Sequence, residues 1–513
     1  MSARRATQLA LLALFVYLLL QTRWGLPSVL PVETFLRLDP LLSLQAVLAS
    51  RMWTRAAYYG LLMLALTLIF GRFFCGWICP LGTCLEIGDE LFFGDGERKW
   101  KNHERRLRGV KYGLLAFIVV CAAFGQGVAY LADPIAWITR VFTYAVWPAA
   151  AVAGNLFLDA MRPAFEAAGW MYLARAEIAQ PVFGALGVVS AIFIVVLIWL
   201  GRYQRRFWCR VLCPLGALYA VFARFSLVRR LVSDDCDFDG ACGRRCEMGA
   251  IPQNYRKYDP RECIQCRRCV EVCHARAVSF ASTTSAKSLE PSIDLKRREL
   301  VGWLASSAVA AVWLAYNPSR RLLADEALRP PGAIPEDEFL ATCVRCGQCV
   351  KVCPTNCLQP SLLETGAAGF MTPVAVMRLG PCDQNCNACG LVCPTDAIRM
   401  VDLAEKAYAK IGNAVIDRNR CVVWEQDRIC LVCDENCPYG AIYWEEAADG
   451  KRRPFVDENR CNGCGQCEYA CPVEGSSAIR IYPAGQIRLR EGSYIRAARE
   501  RGLVLKPREN IYR

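Results

Sequence analysis

Residues 343–354 read CVRCGQCVKVCP, and residues 461–472 read CNGCGQCEYACP. Both carry cysteines in the CxxCxxCxxxCP pattern. Three thiolates this closely spaced wrap three corners of an iron–sulfur cubane, and the fourth reaches the other cluster of a pair. The first run gives Cys343, Cys346, Cys349 and Cys353, followed by Pro354. The last gives Cys461, Cys464, Cys467 and Cys471, followed by Pro472. Two variants lie between them: Cys382, Cys386, Cys389 and Cys393, then Cys421, Cys430, Cys433 and Cys437, each also followed by proline. Zinc takes paired CxxC motifs too. Four consecutive quartets, each closed by Cys-Pro, read instead as four [4Fe–4S] clusters. Two exchange schemes fit the spacing. Either the first quartet swaps with the second and the third with the fourth, or the first with the fourth and the second with the third. Cys357 is left over.

A less regular stretch lies upstream. Cys263, Cys266, Cys269 and Cys273 have the same spacing, with His274 where proline is usual. By the exchange rule Cys246 joins Cys263, Cys266 and Cys269 around one cluster. Cys236, Cys242 and Cys273 then hold a second cluster with Asp235 or Asp239 as fourth ligand, or a three-iron cluster, or nothing. The expectation is one or two clusters over residues 236–273.

The first 230 residues are of another kind. Apolar runs cover 7–22, 56–74, 112–132 and 181–200, and a fifth covers 301–316. Each is near the ~20 residues that cross a bilayer. The loop 98–111 and the stretch 202–230 each carry seven Lys/Arg, which places both on the cytoplasmic side. An even number of crossings must then separate them, so 141–158 is expected to be re-entrant or interfacial, interrupted by Pro148. Lys296-Arg297-Arg298 reads as the cytoplasmic anchor of the fifth helix, with the rest of the chain outside. The expected architecture is an α-helical membrane domain of four transmembrane helices plus a fifth linking helix, carrying α+β bacterial-ferredoxin-like domains. The segments are a membrane domain (1–230), a cytoplasmic ferredoxin-like segment (231–285), a linker and fifth helix (286–325), and a periplasmic polyferredoxin domain (326–513).

Composition excludes several classes. The chain of 513 residues has 30 cysteines but only two histidines, His103 and His274. A membrane haem pair with bis-histidine ligation would need four, so no haem is expected. No Gly-rich phosphate loop between a strand and a helix is present, which argues against a nucleotide. The net charge of +13 falls beside apolar segments, where it sets membrane orientation rather than binding nucleic acid.

Two further cysteine pairs stand at the ends of apolar runs: Cys75 and Cys79 in RFFCGWICPLG (72–82), Cys209 and Cys213 in RFWCRVLCPLG (206–216). The two copies imply a duplicated helical hairpin. Four facing thiols would suit a metal or one cluster; a reversible thiol pair and plain packing are the alternatives. Arg72, Glu86 and Asp89 nearby would line a quinol site or act as interfacial anchors.

Residues 1–280 resemble the NapH/MauN-type membrane ferredoxins, through the two CxxxCP motifs followed by a ferredoxin segment. Residues from about 293 resemble the NapG/MauM-type ferredoxins, through KRREL with its apolar run, LRPPGA, FLATCVRCGQCVKVCP and CNGCGQCEYACP. The chain departs from the pattern in the short spacing of its second quartet and in the 236–246 stretch. The resemblance implies a fusion of two subunits at the prokaryotic inner membrane, passing electrons from quinol to a periplasmic redox protein or reductase as a carrier or quinol dehydrogenase component. The competing expectation is a maturation or reactivation factor that supplies electrons or reduced metal to a metalloenzyme.

Overall fold

The computed structural model describes residues 3–23, 30–94, 107–178, 184–283, 297–316, 327–362, 364–447 and 450–508. Most of the basic loop 98–111, with His103, lies outside these residues, as do Lys296 and most of the linker before it. The chain forms two compact units. One comprises Met1–Leu20, Leu30–Ala145 and Ala185–Tyr316; the other comprises Gln21–Val29, Val146–Gly184 and Asn317–Arg513. The 231–285 ferredoxin segment therefore shares a unit with much of the helical region, while Val146–Gly184, which includes most of α6, belongs to the other.

The longer helices are α1 (Ala3–Gln21), α2 (Pro40–Ser50), α3 (Arg55–Phe70), α4 (Pro80–Phe93), α5 (Val110–Ala123), α6 (Pro134–Ala167), α7 (Gly184–Leu200), α8 (Pro214–Ala223) and α9 (Arg297–Tyr316). Four of them begin with proline just inside the first turn, where the missing N–H would have no helical partner anyway. The helix expected over 112–132 stops at Ala123, with Gly125 at φ 77° ending the run. Serine and glycine let α2 and α3 meet closely: Ser43 Oγ donates to Ala56 O at 3.0 Å, and Gly60 faces Ser43 and Pro40.

The expected interruption of 141–158 at Pro148 is corrected. The segment is the middle of α6, a run of 34 residues. Pro148 does not interrupt it because a π-helical turn, Phe142–Val146, immediately precedes it. The wider turn takes up the mismatch that proline creates. The carbonyl of Tyr144, four residues before Pro148, faces Gly187, whose missing side chain leaves it room. Among the described residues, α1 and α6 are the two helices with the length and apolarity to cross a membrane; α3, α5 and α7 are apolar but shorter.

Among the described residues the strands form four two-stranded antiparallel sheets. In the first unit β1 (Val228–Val232) pairs β2 (Val278–Ser282). In the second, β3 (Leu358–Pro360) pairs β4 (Pro373–Ala375), β5 (Asn413–Ile416) pairs β8 (Ile479–Tyr482), and β6 (Ile442–Glu446) pairs β7 (Arg452–Val456). Cysteine loops fill the space around these small sheets. The core of the second unit gathers Ala333, Ile334, Phe339, Leu340, Ala397 and Ile398 directly around Cys343 and Cys393.

Candidate cluster sites

Five clefts of about 300 to 420 Å³, counting their open mouths, are each bordered by at least four cysteines. Cys343, Cys346 and Cys349 meet Cys393. Cys382, Cys386 and Cys389 meet Cys353, with Cys357 on the same wall. Cys421, Cys430 and Cys433 meet Cys471, and Cys461, Cys464 and Cys467 meet Cys437. In the first unit Cys263, Cys266 and Cys269 meet Cys246. Of the two exchange schemes the spacing allowed, the geometry is that of first with second and third with fourth.

The backbone around these clefts is specialised. The residues flanking the second cysteine of CxxCxxC are left-handed in three loops: Gln265 and Arg267, Arg345 and Gly347, Gly463 and Gly465. Such turns aim successive N–H groups inward and make a cradle for an anion. The third residue after the remote cysteine is also left-handed in four of these sites: Gly249, Asn356, Asp396 and Gly440. Arg276 repeats that geometry after Cys273, so the Cys273 loop keeps the cluster-binding turn although His274 replaces proline. Backbone N–H groups reach the sulfurs themselves: Ala250 to Cys246 at 3.3 Å, Ile398 to Cys393 at 3.4 Å, Ala414 to Cys461 at 3.4 Å and Ala441 to Cys437 at 3.2 Å.

The donor set suits a multi-iron cluster. Among the described residues no three His, Cys, Asp or Glu side chains converge as a single metal ion would require, whereas four thiolates around one cleft are what a cubane takes. Burial pushes the thiols of Cys266, Cys346 and Cys393 up to about 12. A buried thiolate therefore needs a metal's positive charge beside it, and loading would release protons. Lys406 faces Cys382, Cys386 and Cys389, and Arg230 Nη2 lies 3.5 Å from Cys242 Sγ. Cys242 has Cys236 and Asp239 as electrostatic neighbours. Cys357 points its sulfur at Met377 Sδ, 3.7 Å away.

The two CxxxCP pairs come together. Cys79 neighbours Cys75 and Cys209, and Cys213 neighbours Cys209, Cys75 and Cys79. Cys75 belongs to a short helix, Phe73–Trp77; Cys209 lies in a π turn, Trp208–Leu212; Cys79 and Cys213 precede α4 and α8. The arginine opening each copy crosses to the other. Arg206 Nη1 donates to Cys75 O at 3.0 Å and lies over Gly82. Arg72 lies over Gly216, the counterpart of Gly82. Any larger residue at Gly216 would meet the Arg72 guanidinium at 2.8 Å.

The first copy docks on the ferredoxin loop. Trp77 Nε1 donates to Gln265 O at 3.1 Å, and Arg72 Nη1 donates to Arg261 O at 2.6 Å. At Gly76 a Cβ would stand 2.2 Å from Ile264 O. The second copy has Arg210 at that position, and its guanidinium goes to the backbone at Gly249. Gly76→Ala should therefore lift the Cys263–Cys269 loop off the CxxxCP pair. The expected cost is about 1–3 kcal/mol. A loss of about four irons per chain in a metal assay is also expected; unchanged iron and melting temperature would contradict this packing.

Four buried carboxylates pin the junction. Glu86 accepts from Arg4 at 2.6 Å and Arg268 at 2.5 Å, and pairs with Arg206. Glu247 pairs with Arg268 at 2.6 Å and Arg206 at 3.1 Å. Glu262 pairs with Lys111 at 2.6 Å and Arg72 at 3.5 Å. Asp89 accepts from the backbone N of Arg206 at 3.0 Å. Arg72, Glu86 and Asp89 are thus engaged as packing pins. Sequence reasoning missed Glu247 and Glu262; the available signal was an acid beside Cys246 and another beside Cys263.

A family profile described as a 4Fe-4S binding domain matches residues 60–102 and 183–233, the segments holding both CxxxCP motifs. A second 4Fe-4S binding domain profile matches 340–359, and a 4Fe-4S dicluster domain profile matches 428–474. The methylamine utilization ferredoxin-type protein MauM of Methylorubrum extorquens is 39% identical over 210 residues, covering 39% of this chain and 92% of the relative. The ferredoxin-type protein NapG of Escherichia coli is 34% identical over 212 residues, 39% of this chain and 89% of the relative. YccM of Escherichia coli, named for electron transport, is 26% identical over 345 residues, 61% of this chain and 82% of the relative. No solved structure matches the chain.

Proposed function

Because the chain belongs to the family of ferredoxin-type proteins that includes MauM and NapG, we propose that it is a membrane-bound electron conduit in which a NapH/MauN-type helical part is fused to a NapG/MauM-type polyferredoxin. In this reading electrons from quinol pass through [4Fe–4S] clusters to a periplasmic redox protein or reductase. The five four-cysteine clefts each hold one cluster, with Cys75, Cys79, Cys209 and Cys213 holding a sixth; Cys236, Cys242 and Cys273 are the remaining candidate ligands. A bound cluster supplies one-electron transfer. The protein holds the thiolates, sets the local field with buried N–H groups and cations, and keeps water out.

The observation that carries the reading is the docking of the first CxxxCP copy on the Cys263–Cys269 loop. It puts the duplicated thiols of the helical region directly against a ferredoxin cleft, as a relay requires and as plain helix packing does not. The membrane reading is supported by helix faces that present apolar side chains outward: Tyr58 and Leu62 on α3, Val188 and Val195 on α7, Val309 and Trp313 on α9. Lipid would cover these faces. In this reading residues 231–295 are cytoplasmic and the polyferredoxin part periplasmic.

Purified protein should be mixed anaerobically with a reduced quinone analogue and cluster reduction followed by EPR. Reduction with iron near twenty-four per chain is expected for six clusters of four irons. Failure with every quinol tried, in protein that dithionite reduces, would sink the conduit and move the reading toward electron supply for metalloenzyme maturation. A reporter enzyme fused after residue 325 should be active only outside the cytoplasm.

A further inference from the structure

The duplication extends beyond the cysteines. Residues 38–41 read LDPL and residues 132–135 read ADPI. Asp39 caps α2, its Oδ1 accepting from Leu41 N at 2.8 Å and Leu42 N at 3.2 Å. Asp133 caps α6 in the same way, its Oδ1 accepting from Ile135 N at 2.9 Å and Ala136 N at 2.7 Å. Both residues are fully buried. The two carboxyls are hydrogen-bond neighbours of each other, and among the described residues no donor meets Asp39 Oδ2 or Asp133 Oδ2. Each half of the duplication thus contributes one Asp-Pro helix start and one cysteine pair, and both sets meet their counterparts.

A capping role alone does not account for this arrangement. Each cap uses one oxygen, Oδ1, and leaves the second to the neighbouring carboxyl. Two fully buried carboxyls in contact do not both ionise, so the pair holds a proton between them. The cation facing Asp133 is Arg140. Its guanidinium is spent on Tyr130 O, on Ala136 O at 3.2 Å and on the Trp137 ring at 4.1 Å. Tyr219 on α8 is a neighbour of both the pair and the thiols. It is fully buried, its hydroxyl has no hydrogen-bond partner among the described residues, and its electrostatic neighbours are Asp39, Asp133, Cys75 and Cys79. Its ring lies 5.5 Å from that of Phe74, the residue before Cys75.

We propose that Asp39 and Asp133 are a proton-accepting pair coupled, by way of Tyr219, to reduction of the site at Cys75, Cys79, Cys209 and Cys213. This rests on the quinol reading for the source of the proton. Quinol gives up one proton and one electron in each of two steps, one from each hydroxyl, to leave quinone. The electron reduces the thiol-held site by one. The proton takes the pair from one shared proton to two, and the pair returns it to water before the second step.

Asparagine caps a helix about as well as aspartate, so Asp39→Asn and Asp133→Asn should fold and keep their iron. In the infrared, the wild type should show a protonated carboxyl band at neutral pH that either substitution removes and that shifts when dithionite reduces the protein. Quinol-driven reduction should fall roughly 100-fold in both variants, the scale of a lost proton acceptor, and its pH profile should change while dithionite reduction does not. A wild-type band insensitive to either aspartate, or to reduction, overturns the pair as a proton acceptor. A redox-sensitive band in protein that no quinol reduces leaves the pair standing and removes the quinol reading instead.

Discussion

Cys471→Ala should empty the site of Cys421, Cys430 and Cys433 and spare that of its own sequence neighbours Cys461, Cys464 and Cys467. Cys471 borders the first cleft and is absent from the second, where Cys437 stands instead. The expected loss is one cluster, about four irons per chain. The EPR difference from wild type should reproduce that of Cys421→Ala and differ from that of Cys461→Ala. Cys437→Ala should give the reverse result. If Cys471→Ala instead matched Cys461→Ala, each quartet would be serving its own cluster and the exchange would be wrong. The same logic assigns Cys353→Ala to the Cys382–Cys389 site and Cys393→Ala to the Cys343–Cys349 site.

That exchange shows where sequence reasoning stops. The CxxCxxC runs are legible because a short loop must wrap one cubane by itself, whatever surrounds it. The fourth ligand is not, because long-range pairing delivers it. β5 and β8 join residues more than sixty positions apart, Ala414 opposite Ile481, and so bring the chain after Cys471 back to the chain before Cys421. In the first pair the bridge between Ala333 and Ile398 and the bond from Thr395 Oγ1 to Thr342 O at 3.0 Å set Cys393 beside Cys343. The CxxxCP copies announced a duplication, but not that Arg72 and Arg206 would cross between them, nor that Asp39 and Asp133 would meet. Their counterparts lie 134 positions apart for the arginines, from 72 to 206, and 94 for the aspartates, from 39 to 133. Nothing local encodes either contact. Pro148 misled for the opposite reason: its local rule is sound, but a π turn satisfied it.

Glu86→Gln should destabilise the helical unit by about 3–5 kcal/mol, the cost of breaking a buried ion pair by removing one partner. The Glu86 side chain is 3% exposed and faces Arg4, Arg206 and Arg268 together. Glutamine keeps its shape and the bond with Gln8 but leaves these guanidiniums facing a neutral group, with Glu247 the remaining shared counter-charge. Burial pushes the Glu86 carboxyl up; Arg206, Arg4 and Arg268 outweigh it and hold the group well below its ordinary value of 4.5. A depressed carboxyl gives its full stabilisation above the unfolded-state value and loses it as pH falls toward the folded one. The deficit of Glu86→Gln should therefore be constant above about pH 5 and shrink as pH is lowered through the range below 4.5. Thermal unfolding in detergent, read by loss of cluster absorbance, measures both. A deficit that did not diminish with acid would mean that Glu86 acts through shape and not through charge. Because the same three arginines contact the helix start at Arg4, the CxxxCP segment at Arg206 and the ferredoxin loop at Arg268, the variant should also release the Cys263–Cys269 loop from the thiol pairs. The site of Cys246, Cys263, Cys266 and Cys269 should then become the first to lose iron on heating, ahead of the four sites of the second unit, whose cysteines this carboxylate does not touch.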